Sequence, residues 1–139
     1  MKEKKEAQKH ENIIITDANF LIYAIEKRIR LEEIYDIIEG KCTFAMPEKV
    51  RRELERIASK KSRESKYARV ALILPIKVIA AKGRTADEQV LNAALSISNL
   101  NKDYLTAYII TNDKKLIINA KKNGIGVITV KGLKGFSIA

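Results

Sequence analysis

Four carboxylates carry whatever demanding chemistry this chain can perform. The sequence holds one histidine, His10, within a charged N-terminal stretch, and one cysteine, Cys42. A Ser-His-Asp or Cys-His constellation would have to draw on His10. A His-rich metal site and an internal disulfide are both excluded by these counts. The acids that stand out are Asp17, directly after the apolar run of "NIIITD", and Asp113, at the end of "IITND". Asp87 follows "IKVIA" at the start of a helical pattern, and Glu53 lies in the second turn after "CTFAMP".

Each acid has an ordinary explanation. Asp17 and Asp113 can cap the helices that follow them. Glu53 lies one turn beyond Lys49 and can form a surface ion pair with it. In "GRTADEQVLNAALS", Thr85 and Glu88 read as a capping box, and Asp87 suits the first turn of a helix. Two placements resist those explanations. At about 3.6 residues per turn, Asp87 falls on the same face as Val90, Leu91 and Ala94. Glu53 flanks the stripe Val50, Leu54 and Ile57, whereas Glu48 and Glu55 point away. Both are therefore expected to lean inward, where an unpaired carboxylate is costly.

The elements that must position these acids alternate. Ile13–Ile15 reads as a buried strand, followed by helical spacing in "ANFLIYAIEKRI". "RLEEIYDIIEG" predicts a second helix with Leu31, Ile34, Ile37 and Ile38 on one face and Gly40 as its stop. "CTFAM" is the next strand, and Pro47 opens the helix "PEKVRRELERIASK". "SKKSRESK" is a helix break or an exposed basic turn of helix. "ESKYARVALIL" forms a helix closed by Pro75, and "IKVIA" is the third strand. The helix carrying Asp87 comes next, then the strand "AYIIT", the helix "NDKKLIINAKKNG" and the strand "GVITV". Strands alternating with helices predict one α/β domain, a mostly parallel sheet covered by helices on both faces. In such a sheet, ligands bind beyond the carboxyl ends of the strands. All four acids belong to that edge. Four like charges gathered there repel and raise one another's pKa. A divalent cation removes that penalty, and an all-oxygen set suits Mg²⁺ or Mn²⁺.

With 139 residues the chain can build one domain with a real core, and its net charge is +10. The excess is uneven. Residues 47–70 carry nine basic and four acidic groups, and residues 111–139 carry six and one, while residues 1–46 carry eight and nine. Such a patch points to a polyanionic partner. No run of about 18 apolar residues predicts a membrane span. "MKEKKEAQKHEN" lacks the apolar region of a secretory signal, so residues 1–11 read as a charged tail. The cysteine usage fits a reducing cytoplasm. The domain is expected over 12–131, with a C-terminal tail over 132–139. Gly124-Ile125-Gly126 precedes a strand and lacks a third glycine, so it is no dinucleotide fingerprint.

Taken in order, "DANFL", "PEKVRRELERI", "TADEQVLNAA" and "YIITNDKKL" resemble the PIN-domain ribonucleases over about residues 13–130. The resemblance implies a single-domain three-layer sandwich with a mostly parallel, about five-stranded central sheet. It implies cleavage of RNA with one or two Mg²⁺ or Mn²⁺ ions held by Asp17, Glu53, Asp87 and Asp113. Asn19 and Thr111 match positions that support the site. Two departures stand out. "DAN" replaces the more frequent "DTN", which removes a hydroxyl at Ala18, and Glu88 takes the place of a frequent second Asp among the supporting residues. The implied partners are RNA, an antitoxin protein or a ribosomal precursor, and a second copy in a homodimer. Toxin and rRNA-processing roles both stay open, and "VITVKGLKGFSIA" has a slight similarity to the processing group. A non-catalytic RNA-binding scaffold of the same fold is the alternative, and a complete acidic set speaks against it. A phosphorylatable receiver would want paired acids after the first strand, where "IIITDAN" has one.

Arg51, Arg52, Arg56, Lys60, Lys61 and Arg63 are the candidates to guide an RNA backbone. Affinity for single-stranded RNA is therefore expected to fall steeply with salt, each phosphate contact adding about −0.7 to the log–log slope. Fluorescence anisotropy across a salt series checks this, and a flat response removes the case for a basic docking surface.

Overall fold

A computed structural model describes residues 10–130 and 136–139. The expected N-terminal tail therefore falls almost wholly outside the described residues, as does part of the C-terminal stretch. Six strands form one sheet: β1 (Glu11–Thr16), β2 (Lys41–Pro47), β3 (Lys77–Ile79), β4 (Leu105–Ile110), β5 (Gly126–Val130) and β6 (Phe136–Ile138). Their order is β3-β2-β1-β4-β5-β6. The first five run parallel, and β6 pairs antiparallel with β5. The helices are α1 (Ala18–Glu26), α2 (Glu48–Ala58), α3 (Ser65–Ala71), α4 (Ala86–Ser98) and α5 (Lys114–Lys122).

The strand order places β1 at the point where the chain reverses its direction of travel across the sheet. From β1 it steps outward to β2 and β3, then returns to add β4 and β5 on the other side of β1. The cleft between β1 and β4 is thus the topological switch point, where an open parallel sheet offers its ligand crevice. Thr16 is the register partner of Ile110 across this pair, so the residues that follow them emerge side by side.

Period-two alternation divides the strand residues between two cores. Ile15, Ala45, Ile109 and Val127 pack with Val50 and Leu54 of α2, Ala68 of α3, Val90 and Ala94 of α4, and Leu116 of α5. Ile14, Phe44, Ile110 and Ile128 face the other way, onto Phe20 and Ala24 of α1 and onto Ile34 and Ile38. The α1 helix serves both cores, because Leu21 and Ile22 join the first.

One expectation changes, one is extended and one open alternative closes. "RLEEIYDIIEG" forms only a 3-10 helix over Leu31–Asp36, and Ile37 is exposed rather than packed with Ile34 and Ile38. A 3-10 turn eclipses residues three apart, and Asp36 at the negative end of the segment opposes its extension. The mostly parallel sheet stands as expected and gains a sixth strand beyond the five read from the sequence. Residues 136–138, read as tail, extend it, with the Phe136 ring 6.2 Å from that of Phe20. Three residues are too few to show an alternation. Finally, "SKKSRESK" resolves as a break between α2 and α3. The buried Ser65 hydroxyl holds it by donating to Ile57 O at 2.9 Å and accepting from the Ser62 N–H at 3.0 Å.

Gly40 closes the turn into β2 with φ +99°, and a Cβ there would lie 2.5 Å from His10 O. Asn12 fixes the same turn by donating to Glu39 O at 2.8 Å and to Lys41 O at 3.2 Å. Gly40→Ala is expected to destabilise the protein by more than about 1 kcal/mol, through positive φ and backbone overlap together. Urea unfolding checks this; an unchanged midpoint would mean that the turn relaxes freely.

Candidate metal and nucleic-acid site

Asp17 leaves the central strand and becomes the N-cap of α1. Its Oδ1 accepts the Phe20 N–H at 2.8 Å, and its Oδ2 accepts the Thr111 hydroxyl at 2.6 Å. The side chain is buried. Burial pushes its carboxyl above the ordinary value; the bonds from Thr111 and Phe20 oppose this, while the charges of Asp87 and Asp113 reinforce it. Asp113 is the N-cap of α5, with Oδ1 accepting the Leu116 N–H at 3.0 Å. Its own N–H donates to Thr111 Oγ1 at 3.0 Å. The fully buried Thr111 hydroxyl therefore bridges the two strand-end acids. Capping and membership of the cleft coincide at both positions.

Glu53 is half-buried in α2, and its near cation is Arg56, at 3.6 Å, rather than the expected Lys49. Asp87 corrects a further expectation. The buried face of α4 is formed by Gln89, Val90, Ala93 and Ala94, whereas Asp87 itself is exposed. Thr85, Ala86 and Asp87 at the start of α4 line the cleft, so the side that faces the core from Val90 onward opens there onto the cleft. Thr85 is the N-cap, accepting the Glu88 N–H at 3.1 Å, and Glu88 Oε1 accepts the Arg84 N–H at 2.8 Å. Glu88 thus secures the helix start, as the capping box predicts, and does not itself line the cleft. Asp87 is left with no capping duty. Partial burial against the cleft wall raises its carboxyl pKa, the charges of Asp113 and Glu53 add to this, and Lys115 works against it.

The resulting cleft has a volume of about 270 Å³ and is lined by Asp17, Ala18, Asn19, Glu53, Thr85, Ala86, Asp87 and Asp113. An adjoining depression of about 300 Å³ adds Tyr23, Phe20 and Asn112. All four sequence-predicted acids and Asn19 therefore meet in one place, with Thr111 behind them. They share an open cleft and not a closed cage: among the described residues no three Asp, Glu, His or Cys side chains stand in a metal-holding array. Their chemistry still suits a hard divalent cation, being all carboxylate oxygen. Two of them have pKa values raised in part by the negative charge of their neighbours. A roomier cavity of about 520 Å³, between α1, the 3-10 helix and β2, is mostly apolar and holds one acid, Glu32.

The basic candidates lie on α2 and the turn after it. Arg51 pairs with Glu55 at 3.1 Å, Arg56 with Glu53, and Arg63 with Glu26. Arg52, Lys60 and Lys61 are exposed with no ion pair among the described residues. Sequence reasoning passed over Gln89 and Asn112. A glutamine on the buried face of α4 was the available signal for the first, and the "TND" run for the second.

A doubly wound parallel sheet with acids gathered at its switch point is an α/β architecture that offers its ligand crevice at that edge. The chain belongs to the PIN-like domain family, whose model matches residues 14–133. It is similar to the protein named Ribonuclease VapC4 of Methanocaldococcus jannaschii, with 30% identity over 131 residues, covering 90% of this chain and 95% of that one. Its fold is similar to that of the PIN domain endonuclease Utp24, with a TM-score of 0.72 and 22% identity, covering 91% of this chain and 90% of that one.

The raised carboxyls set a pH dependence. A folded-state pKa above the ordinary 3.8 means that the native state binds more protons than the unfolded state above that pH. Stability of the metal-free protein is therefore lost as pH rises from about 3.8 through the raised values. Asp17→Asn removes one contributor. In urea unfolding with EDTA, the variant's stability relative to wild type is expected to increase with pH across this window. A constant difference would mean that the Asp17 carboxyl is not raised.

Proposed function

We propose that this protein is a divalent-metal-dependent endoribonuclease that hydrolyses RNA phosphodiester bonds at Asp17, Glu53, Asp87 and Asp113. The observation that carries this reading is the convergence of these four acids on one cleft at the switch point of the sheet. Membership of the PIN-like family and similarity to a ribonuclease support RNA as the substrate. Asp17 and Asp87 would be the main ligands for Mg²⁺ or Mn²⁺, Glu53 would bind the ion or orient water, and Asp113 would be an outer or second-ion ligand. When bound, the ion supplies Lewis acidity at the phosphate and a lowered pKa for water. Thr111 holds Asp17 in one orientation through its 2.6 Å bond, so the carboxylate needs no reorganisation. Asn19, exposed at the mouth, offers an amide to the substrate backbone. Arg51, Arg52, Arg56, Lys60, Lys61 and Arg63 neutralise phosphates, and their surface pairs with Glu55, Glu53 and Glu26 are weak enough to exchange for them. An antitoxin-type protein partner, or a ribosomal precursor as the RNA, belongs to the same proposal.

Asp17→Asn is expected to lower cleavage of single-stranded RNA by at least about 10²-fold while the fold persists, since a ligand contributes several kcal/mol in the transition state. Asp87→Asn is expected to weaken Mn²⁺ binding at least about tenfold, since loss of even a ligand's orienting partner costs that much. It also removes the rise in melting temperature that added Mn²⁺ produces by mass action. Glu88→Gln leaves that rise largely intact. Equal Mn²⁺-dependent shifts in wild type and both variants would overturn the metal site.

A further inference from the structure

We propose that Gln89 is a positioning residue that sets the separation of Glu53 and Asp87 across the cleft by tying the first turns of α2 and α4 together. This inference rests on the metal-dependent reading above. The α2 helix begins after Pro47, which occupies the N-cap and has no side chain able to accept a hydrogen bond. The first amides of a helix lack intrahelical partners and need one from elsewhere. Here the Lys49 N–H donates to Gln89 Oε1 at 3.1 Å, so the cap of α2 is delivered from α4. The other end of the same amide, Nε2, donates to Gly83 O at 3.3 Å, in the loop that enters α4. Gln89 is buried at 7% exposure, where an amide with either end unmatched would be costly.

The tie lies close to the acids on both sides. Glu53 is one helical turn beyond Lys49 and on the same side of α2. Asp87 is two residues before Gln89 on α4. The loop allows little slack: Gly83 has φ +141°, and a Cβ there would come within 2.9 Å of both the Gln89 N and the Glu88 Cβ. No local feature of α2 needs a glutamine from another helix, because serine or aspartate at position 47 would cap it. A cap supplied from α4 does what a local one cannot: it makes the position of α2 depend on that of α4.

A capping role alone and a positioning role predict different results. Gln89→Met keeps the shape and removes both hydrogen bonds. Pro47→Ser restores a local cap to α2 without any link to α4, and it also secures a folded background for the Met variant. The full-length protein, Gln89→Met, Pro47→Ser and the double variant are compared by thermal melting in EDTA and by Mn²⁺ titration calorimetry. Gln89→Met is expected to lower the melting temperature and to weaken Mn²⁺ binding about tenfold, as loss of an orienting partner does. The double variant is expected to regain the melting temperature of Pro47→Ser while its Mn²⁺ affinity stays about tenfold low. Affinity for RNA in EDTA, set by the basic surface, is expected to be equal in all four. Mn²⁺ affinity that is unchanged in Gln89→Met, or that returns with the local cap, overturns the positioning role and leaves the metal site standing. A wild-type protein that binds no Mn²⁺ overturns the metal reading and this inference with it.

Discussion

One hydroxyl holds the two central strand ends in register with each other. Thr111 Oγ1 donates to the Asp17 carboxylate and accepts from the Asp113 backbone, so residues 94 apart and 2 apart in sequence are joined at a single oxygen. A hydrogen bond to a charged group contributes about 1.5–3 kcal/mol. Burial still wins over this bond and that from Phe20, since the Asp17 carboxyl lies above its ordinary pKa. The protein thus keeps an acid where water cannot fully solvate it, oriented but not fully satisfied. That unspent negative character is what a cation would answer.

The parallel α/β arrangement supplies a second, partial answer. Each helix that follows a strand begins at the same sheet edge, so the N-termini of α1, α4 and α5 stand around the cleft, with α2 alongside. Each carries the equivalent of about half a positive charge, which favours nearby carboxylates by about 0.3–1 kcal/mol. Asp17 and Asp113 use this directly as N-caps. The gain does not restore the ordinary pKa of Asp17 and Asp87, which burial raises first and the charge of neighbouring acids raises further. Helix capping and a place in the acidic cleft are therefore one electrostatic arrangement and not rival uses of Asp17 and Asp113.

The basic surface follows a similar economy of charge. Arg51, Arg56 and Arg63 are each engaged by a carboxylate at the protein surface. Exposed pairs of this kind contribute little to stability, about 0–1 kcal/mol. They keep long side chains near α2 while leaving their charges available to a stronger anion. Arg56 also links this surface to the cleft, because its partner is Glu53.

The alternation of strands and helices, the parallel sheet and the strand-end position of Asp17 and Asp113 were legible in the residues, because burial on both faces writes itself as short β-branched runs. The capping box of Thr85 and Glu88 was legible for the same local reason. What the residues could not show was direction at helix ends. Asp87 shares an angular face with Val90, yet only the assembled fold decides that this face meets open cleft at Asp87 and core at Val90. The 3-10 helix at Leu31–Asp36 and strand β6 depend on contacts with distant partners, Phe20 among them, and leave no period in so few residues. Gln89 is the sharpest case. Its type and place on α4 are local facts, but its two hydrogen bonds reach 40 residues back to Lys49 and into the loop at Gly83. Sequence alone determined which groups could do chemistry and at which edge of the sheet. Tertiary structure decided which of them meet, since hydrogen bonds and charge repulsion act through distances that chain spacing does not encode.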